Sequence, residues 1–214
     1  MSSGFDKLAP WYGLLESLLF GSRLQEMRCA YLDQLTDVGT VLLVGEGTGL
    51  FLKRLLKTNP EATVSVVEPS AEMIDQCRNR VPRDDSRRVT FHKSTLLEFE
   101  FVQRFDALCT FFFWDCFDED QLRMMLPAIS KFHKPESFWI DVDFFETPKD
   151  SPGINLRHFL LLRMLYGFFG LATGIEARSV VDIEPMAKQN GFFVTESLTA
   201  KKFPIQARIF SRRI

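Results

Sequence analysis

The run Thr40-Val41-Leu42-Leu43-Val44, emptying without a polar break into Gly45-Glu46-Gly47-Thr48-Gly49, constrains this chain more than any other feature. Five β-branched and leucine residues in a row are the pattern of a strand buried on both faces, as in a parallel sheet. Glycines at alternate positions let the backbone turn tightly out of that strand and leave bare main chain for a ligand to approach. The helix that follows offers unpaired N–H groups at its start. Leu50 to Lys57 has the helical spacing and stops at Asn59-Pro60.

The same alternation continues along the chain. Short apolar runs at Thr63 to Val67, Val89 to His92, Asp106 to Phe113 and Phe138 to Phe145 alternate with helical patterns at Ala71 to Arg80 and Glu119 to Phe132. Strand and helix in turn imply a parallel sheet, and right-handed crossovers make it a doubly wound one. The fold class expected is therefore α/β: a Rossmann-like doubly wound sheet, mostly parallel, with an N-terminal helical cap. Phe192 to Leu198 and Ile205 to Ser211 supply an antiparallel edge hairpin.

A length of 214 residues suits a single domain. Its parts are a helical cap over 1–36, hinged near Gly21, and a cofactor-binding core over 37–153. A helical acceptor-pocket insertion over 154–190 and the edge hairpin over 191–214 complete it. The insertion holds an apolar helix from Asn155 to about Ala172 and a second from Val180 to Asn190. The apolar helix is interrupted by Arg163 and falls short of the roughly 20 residues that cross a bilayer.

A formal charge of −2 gives no footprint for nucleic acid, and Asp84 and Asp85 interrupt the arginines between Arg78 and Arg88. Four scattered cysteines without a CxxC pair, and three histidines without metal spacing, point to neither zinc nor disulfides. Met1 to Lys7 has no charged and apolar leader pattern, so the expected compartment is the cytoplasm.

Ligands of such sheets bind outside the carboxyl ends of the strands. Glu68 closes the second strand about 20 residues after the glycines, where an acidic side chain accepts hydrogen bonds from a ribose diol. A nucleoside ligand follows. The dinucleotide fingerprint wants a third glycine where Leu50 stands, which disfavours a nicotinamide cofactor.

GxGxG with Glu68 instead resembles motifs I and II of the class I S-adenosylmethionine-dependent methyltransferases, motif II being Val67-Glu68-Pro69-Ser70 with Met73. Phe5-Asp6-Lys7-Leu8-Ala9-Pro10-Trp11-Tyr12 is similar to the opening segment of the quinone-biosynthesis C-methyltransferase branch. Phe105-Asp106-Ala107-Leu108 stands as motif IV, and Lys134-Pro135-Glu136-Ser137 where that family writes KPGG. Phe111-Phe112-Phe113-Trp114-Asp115-Cys116-Phe117 is similar to the FFLDCF segment of a bacterial subgroup, as is Met164 to Phe169 to its aromatic helix. The resemblance implies S-adenosyl-L-methionine as cofactor, bound by Phe5, Tyr12, Gly45, Glu46, Gly47, Thr48, Gly49, Glu68, Pro69, Met73, Ser94, Thr95, Phe111 and Phe112. The family's acid after the third strand is replaced in the Ser94-Thr95 region, where Thr95 reads equally as a helix N-cap.

Methyl transfer from a sulfonium is an in-line displacement in which the protein mainly aligns the partners, with a base where the nucleophile carries a proton. Asp115 is the first candidate base, followed by Asp143, then His158 and Tyr166 on the apolar helix. His133 reads as complementing a helix dipole, and Asp118 as the N-cap of the helix from Glu119. Of 22 phenylalanines, several fall where ligands bind, so the expected partner is a small apolar or aromatic acceptor, methylated at O, N or C. The alternatives are a non-catalytic methyltransferase-like subunit, suggested by the altered KPGG and the missing acid after the third strand, and an NAD(P)-dependent oxidoreductase.

Overall fold

The computed structural model describes residues 20–145, 180–200 and 203–212. Seven strands form one sheet: β1 (Thr40–Val44), β2 (Thr63–Val67), β3 (Val89–His92), β4 (Phe105–Phe111), β5 (His133–Phe144), β6 (Phe192–Thr199) and β7 (Ile205–Arg212), in the order β3-β2-β1-β4-β5-β7-β6. The first five run parallel, and β7 and β6 are antiparallel. This is the expected doubly wound α/β sheet with an antiparallel edge hairpin. Strand order reverses between β1 and β4, which puts a crevice at their carboxyl ends.

Alternation along the strands sends side chains to two cores. Val41, Leu43, Cys109 and Ile140 face α1 (Arg23–Arg28) and α2 (Leu50–Thr58), with Leu24, Met27, Phe51 and Leu55. The opposite face, with Leu42, Val44, Leu108 and Trp139, carries Leu122 and Leu126 of α4 (Glu119–Ile129) and Met186 of α5 (Glu184–Gln189). Cys77 of α3 (Ala71–Arg80) packs with the first face. Both faces are covered, so β1 reads as an unbroken apolar run.

Several local readings hold and several change. Asp118 caps α4 in a capping box: its Oδ1 accepts from Gln121 N at 2.8 Å, and Gln121 Oε1 accepts from Asp118 N at 3.0 Å. The expected helix from Val180 begins only at Glu184. Pro185 suits a first helical turn, and Asp182 Oδ1 accepts from both Glu184 N at 3.0 Å and Arg208 Nη1 at 2.9 Å, which fixes the chain just before it. Gly21, at φ 59, separates the helical Phe20 from α1; the other residues of the cap before it lie outside the described set. Most of the 154–190 insertion lies outside it too.

Lys134 to Ser137 form no loop near a ligand; they lie inside β5, where a bulge lets Phe105 pair with His133 and Ala107 with Phe138. That is the amino end of the strand, roughly 25 to 30 Å by strand rise from its carboxyl end. His133 is buried against Phe192, with Nδ1 2.7 Å from Ser137 Oγ. Burial pushes its pKa down to about 3, with Arg212 adding to the shift, so it is neutral and complements no dipole by charge. Arg88 is likewise no solvated charge. It donates to the carbonyls of Leu56, Asn59 and Ala62 and ties the end of α2 to the turn before β3.

Candidate functional site

Strand register alone lines up the chemistry. Val44 pairs with Val67 on one side and Thr110 on the other, Phe111 pairs with Val142, and Asp143 pairs with Gln206. Glu68, Gly45, Phe111 and Asp143 therefore stand nearly level along the carboxyl edge. Strand spacing places Glu68 about 15 Å from Asp143.

The three loop glycines differ in what surrounds them. All have positive φ, but a Cβ on Gly49 would lie 2.7 Å from Cys77 Sγ and 2.9 Å from Cys77 Cα, and one on Gly45 would lie 2.8 Å from the Phe113 ring. These two admit neighbouring protein. Around Gly47 nothing lies within 4 Å of a Cβ position, so its backbone faces open space. Glu46, buried, turns one carboxyl oxygen back on the helix: its Oε1 accepts from Phe51 N and Leu52 N, both at 3.0 Å. The start of α2 is thereby capped from within and presents fewer N–H groups than the sequence suggests. Thr48 is buried, and its carbonyl accepts from Arg80 of α3.

Glu68 is buried at the end of β2, with Oε1 accepting from Ser70 N at 3.0 Å. Ser70 Oγ caps α3 by accepting from Met73 N, which holds the Pro69 turn and buries Met73. Gly47 and Glu68 are thus one open backbone surface and one acidic side chain at adjacent strand ends, which fits a nucleoside with its ribose hydroxyls toward Glu68. Ser94 and Thr95 follow β3 one strand further out. Thr95 is exposed and exchanges hydrogen bonds with Glu98: its hydroxyl donates at 2.7 Å, and Glu98 N donates back at 3.3 Å. These bonds close a turn over Leu96 to Glu98, and no helix follows before β4, so Thr95 is not the helix N-cap that the sequence suggests.

Past β4 the chain takes its most strained step among the described residues. Phe112 is the non-glycine residue with positive φ, at 51, a conformation that costs a bulky side chain on the order of 1 to 3 kcal/mol. It is held by its N–H on Val142 O at 2.7 Å, its ring against Phe144 at 5.1 Å, and the Arg28 guanidinium 5.0 Å from the ring centroid. Phe111 is buried edge-on to Phe51. The reversal at Phe112 brings two successive amides onto Asp143, whose Oδ2 accepts from Trp114 N at 2.9 Å and Asp115 N at 3.2 Å. Its Oδ1 accepts from Phe144 N at 2.8 Å.

The structure thus brings Asp115 and Asp143 together as one coupled pair. Burial, then the pull of neighbours, sets the Asp115 carboxyl at about pKa 6, within hydrogen-bonding reach of Asp143 and beside the Cys116 thiol. Three N–H donors favour the ionised form of Asp143. Against them, burial and the charges of Asp115 and Asp141 push the Asp143 carboxyl well above its ordinary range, so the two carboxyls hold a proton in common.

Behind the pair lies a buried network that sequence reasoning missed. The Thr110 hydroxyl donates to Asp141 Oδ1 at 2.8 Å and accepts from Trp139 Nε1 at 2.7 Å and Trp114 Nε1 at 3.2 Å. Arg208 Nη2 donates to Asp141 Oδ2 at 2.9 Å, and Nη1 to Asp182. The signal was present: one acid in β5 and one arginine in β7, each inside a run that reads as buried, must find partners. A cavity of about 180 Å³ opens here, between Trp114, Asp115, Asp143 and Phe144 on one side and Val181, Asp182 and Arg208 on the other. Phe5, Tyr12, His158 and Tyr166 lie outside the described residues. Among those described, no cluster of ligating side chains could hold a metal ion, and no helix is long and apolar enough to cross a membrane.

Residues 41–136 match the family described as methyltransferase domain. The matched residues span β1 to the first residues of β5, the part that carries the glycine loop, Glu68 and the Phe112 turn. No curated protein matches the chain. Among solved structures it is similar to the mitomycin 7-O-methyltransferase MmcR, at 17% identity and a TM-score of 0.72, over 98% of this chain and 60% of that one. An O-methyltransferase family protein from Burkholderia thailandensis matches at 16% and 0.70, over 92% and 57%. The chain thus spans less than two thirds of the length of either. The N-methyltransferase NodS from Bradyrhizobium japonicum, at 14% and 0.61, is covered over 97% of its length by 89% of this chain. These likenesses give the chain the Rossmann-like fold of methyltransferases.

Proposed function

We propose that the chain transfers a methyl group from S-adenosylmethionine to a small, apolar or aromatic acceptor at O, N or C. The observation that carries this is the row along the carboxyl edge: an open glycine backbone, Glu68 at the next strand end, and a carboxylate pair beside a cavity about 15 Å away. Glu68 would hold the ribose and Gly47 the amino-acid side of the donor, with Pro69 and Met73 flanking. The donor supplies an activated methyl group on a sulfonium. The protein has then to align the acceptor and keep water out. Phe112, Phe113 and Trp114 offer aromatic faces at the cationic centre, worth roughly 0.5 to 2 kcal/mol. Phe5 and Tyr12 complete the donor site by family resemblance, and His158 and Tyr166 remain proposed acceptor-side groups from the apolar helix.

Calorimetric titration with S-adenosylmethionine tests the reading, with NADH as the control for an oxidoreductase. Binding of the sulfonium and not of the dinucleotide is expected; no heat at millimolar S-adenosylmethionine removes the proposal. A non-catalytic methyltransferase-like subunit is the second reading. Of its two motivations in the sequence, the altered KPGG lies at the amino end of β5, far from this edge, while the missing acid after β3 lies at it. An acceptor screen that detects S-adenosylhomocysteine separates the two.

A further inference from the structure

The cavity beside the carboxylate pair carries information about the acceptor. Arg208 is the cation on its wall, and it is committed: Nε and Nη2 donate to Asp141, and Nη1 donates to Asp182. An anionic acceptor would find no uncommitted cation among the described wall residues. Asp143 is also committed, with both oxygens on backbone N–H groups. Asp115 is different. Its backbone is pinned by Asp143, and Asp115 lines the cavity, its carboxyl within reach of Asp143 and of the Cys116 thiol at 3.6 Å but held by no backbone donor of another described residue. The opposing surfaces are aromatic and aliphatic, from Trp114, Phe144, Phe145, Val180 and Val181.

Resting on the methyl-transfer reading, we propose that the acceptor is an amine that enters this cavity as an ammonium, that Asp115 takes its proton, and that Asp143 is the residue that positions Asp115. Charge decides between amine and hydroxyl. Proton transfer from an ammonium to a carboxylate turns an ion pair into two neutral groups, which a poorly hydrated site favours. The same transfer from a phenol leaves a phenolate in a buried, acidic site, which such a site opposes: its one cation among the described wall residues, Arg208, is already paired with Asp141 and Asp182. Aromatic walls suit an ammonium as well. The step balances: Asp115 accepts one proton from R–NH3+, and the freed nitrogen pair forms the N–CH3 bond. The S–CH3 bond breaks with its electrons going to sulfur, giving a thioether and R–NH2+–CH3. Asp115 returns its proton to solvent.

The groups facing Asp115 are Asp143 and Asp141 of β5 and Cys116 of its own turn, with Asp182 and Arg208 across the cavity. Burial raises the Asp115 carboxyl to about pKa 6, so amine binding should strengthen as pH rises through 6.

The test titrates 2-phenylethylamine and 4-ethylphenol calorimetrically at pH 7.5, with S-adenosylhomocysteine bound. At least tenfold tighter binding of the amine is expected, falling to less than twofold in Asp115→Asn. In parallel, carboxyl carbon NMR should show one aspartate titrating near pH 6 that vanishes in Asp115→Asn. In Asp143→Asn that titration should move, a response a merely structural Asp143 would not give. Should Asp143→Asn fail to fold, Asp115→Asn decides. Equal or tighter phenol binding, or no amine binding while S-adenosylhomocysteine binds, overturns the amine assignment and leaves methyl transfer standing. Failure of the nucleoside itself to bind overturns the methyl-transfer reading.

Discussion

The two ends of the site row are built in different ways. At the β1–β2 end, the glycine loop and Glu68 come from one stretch of fewer than thirty residues, and backbone geometry does most of the work. At the β4–β5 end, Thr110, Asp115, Asp141, Asp143, Asp182 and Arg208 come from four separate segments and meet only because the sheet brings them together. The first half is a shape that admits a common ligand, and the second is a charge arrangement that can be tuned to a particular acceptor. A fold that keeps one cofactor while varying its substrates needs that division.

The largest effect should come from breaking the charged half. Arg208→Met leaves Asp141 buried and unpaired, and unfolding should become easier by about 3 to 5 kcal/mol. The double variant Asp141→Leu/Arg208→Met should recover most of that loss in urea denaturation. Equal stability of the single and double variants would show that the network is incidental.

The glycines break the backbone half. Gly49→Ala drives a Cβ into Cys77 at a left-handed position, with a cost of about 3 kcal/mol from overpacking and backbone strain together. Gly47→Ala meets no neighbour, so its folding cost should stay near 1 kcal/mol, while S-adenosylhomocysteine binding falls at least tenfold. Similar melting temperatures for the two variants would erase the distinction.

Glu68→Ala comes next, weakening S-adenosylmethionine binding by about 1 to 3 kcal/mol through lost ribose hydrogen bonds. Acceptor-side amine binding should be unaffected.

Smallest is a pH effect on stability. The folded-state pKa of Asp115 is raised to about 6, so between about pH 4 and 6 the folded protein holds a proton that the unfolded chain has released. Stability linked to this proton is present at the acid end and declines as pH rises through 6. Asp115→Asn should therefore melt higher than the parent at pH 8, with the difference vanishing toward pH 4. A constant difference across that range would show that Asp115 is ionised throughout.

These two halves also differed in how far the sequence disclosed them. β1, β2, β3 and α3 have the same ends as their hydrophobic patterns, because each pattern reports a local period and a nearby turn residue. Glu68 was readable from its distance to the glycines. The capping role of Glu46 was not legible, because its partners, Phe51 N and Leu52 N, lie five and six residues on, and a cap from inside the loop has no distinct spacing. Asp115 and Asp143 were separate candidates in the sequence. Only the register of β4 on β5 and the left-handed Phe112 make them a pair. Arg208, 67 residues beyond Asp141, was legible as a lone charge in an apolar strand but not as the partner of any particular acid. His133 and Lys134 were misplaced because β5 begins five residues earlier than its apolar run, across a bulge that polar residues occupy.

The most direct test of the account is a crystal structure of the chain with S-adenosylhomocysteine. Ribose hydroxyls within hydrogen-bonding distance of Glu68, backbone of the ligand against Gly47, and the sulfur turned toward the Phe112 to Asp115 turn and its cavity are the predicted result. A nucleoside bound away from the carboxyl ends of β1 and β2, or with its sulfur directed away from the Asp115 and Asp143 pair, would contradict it.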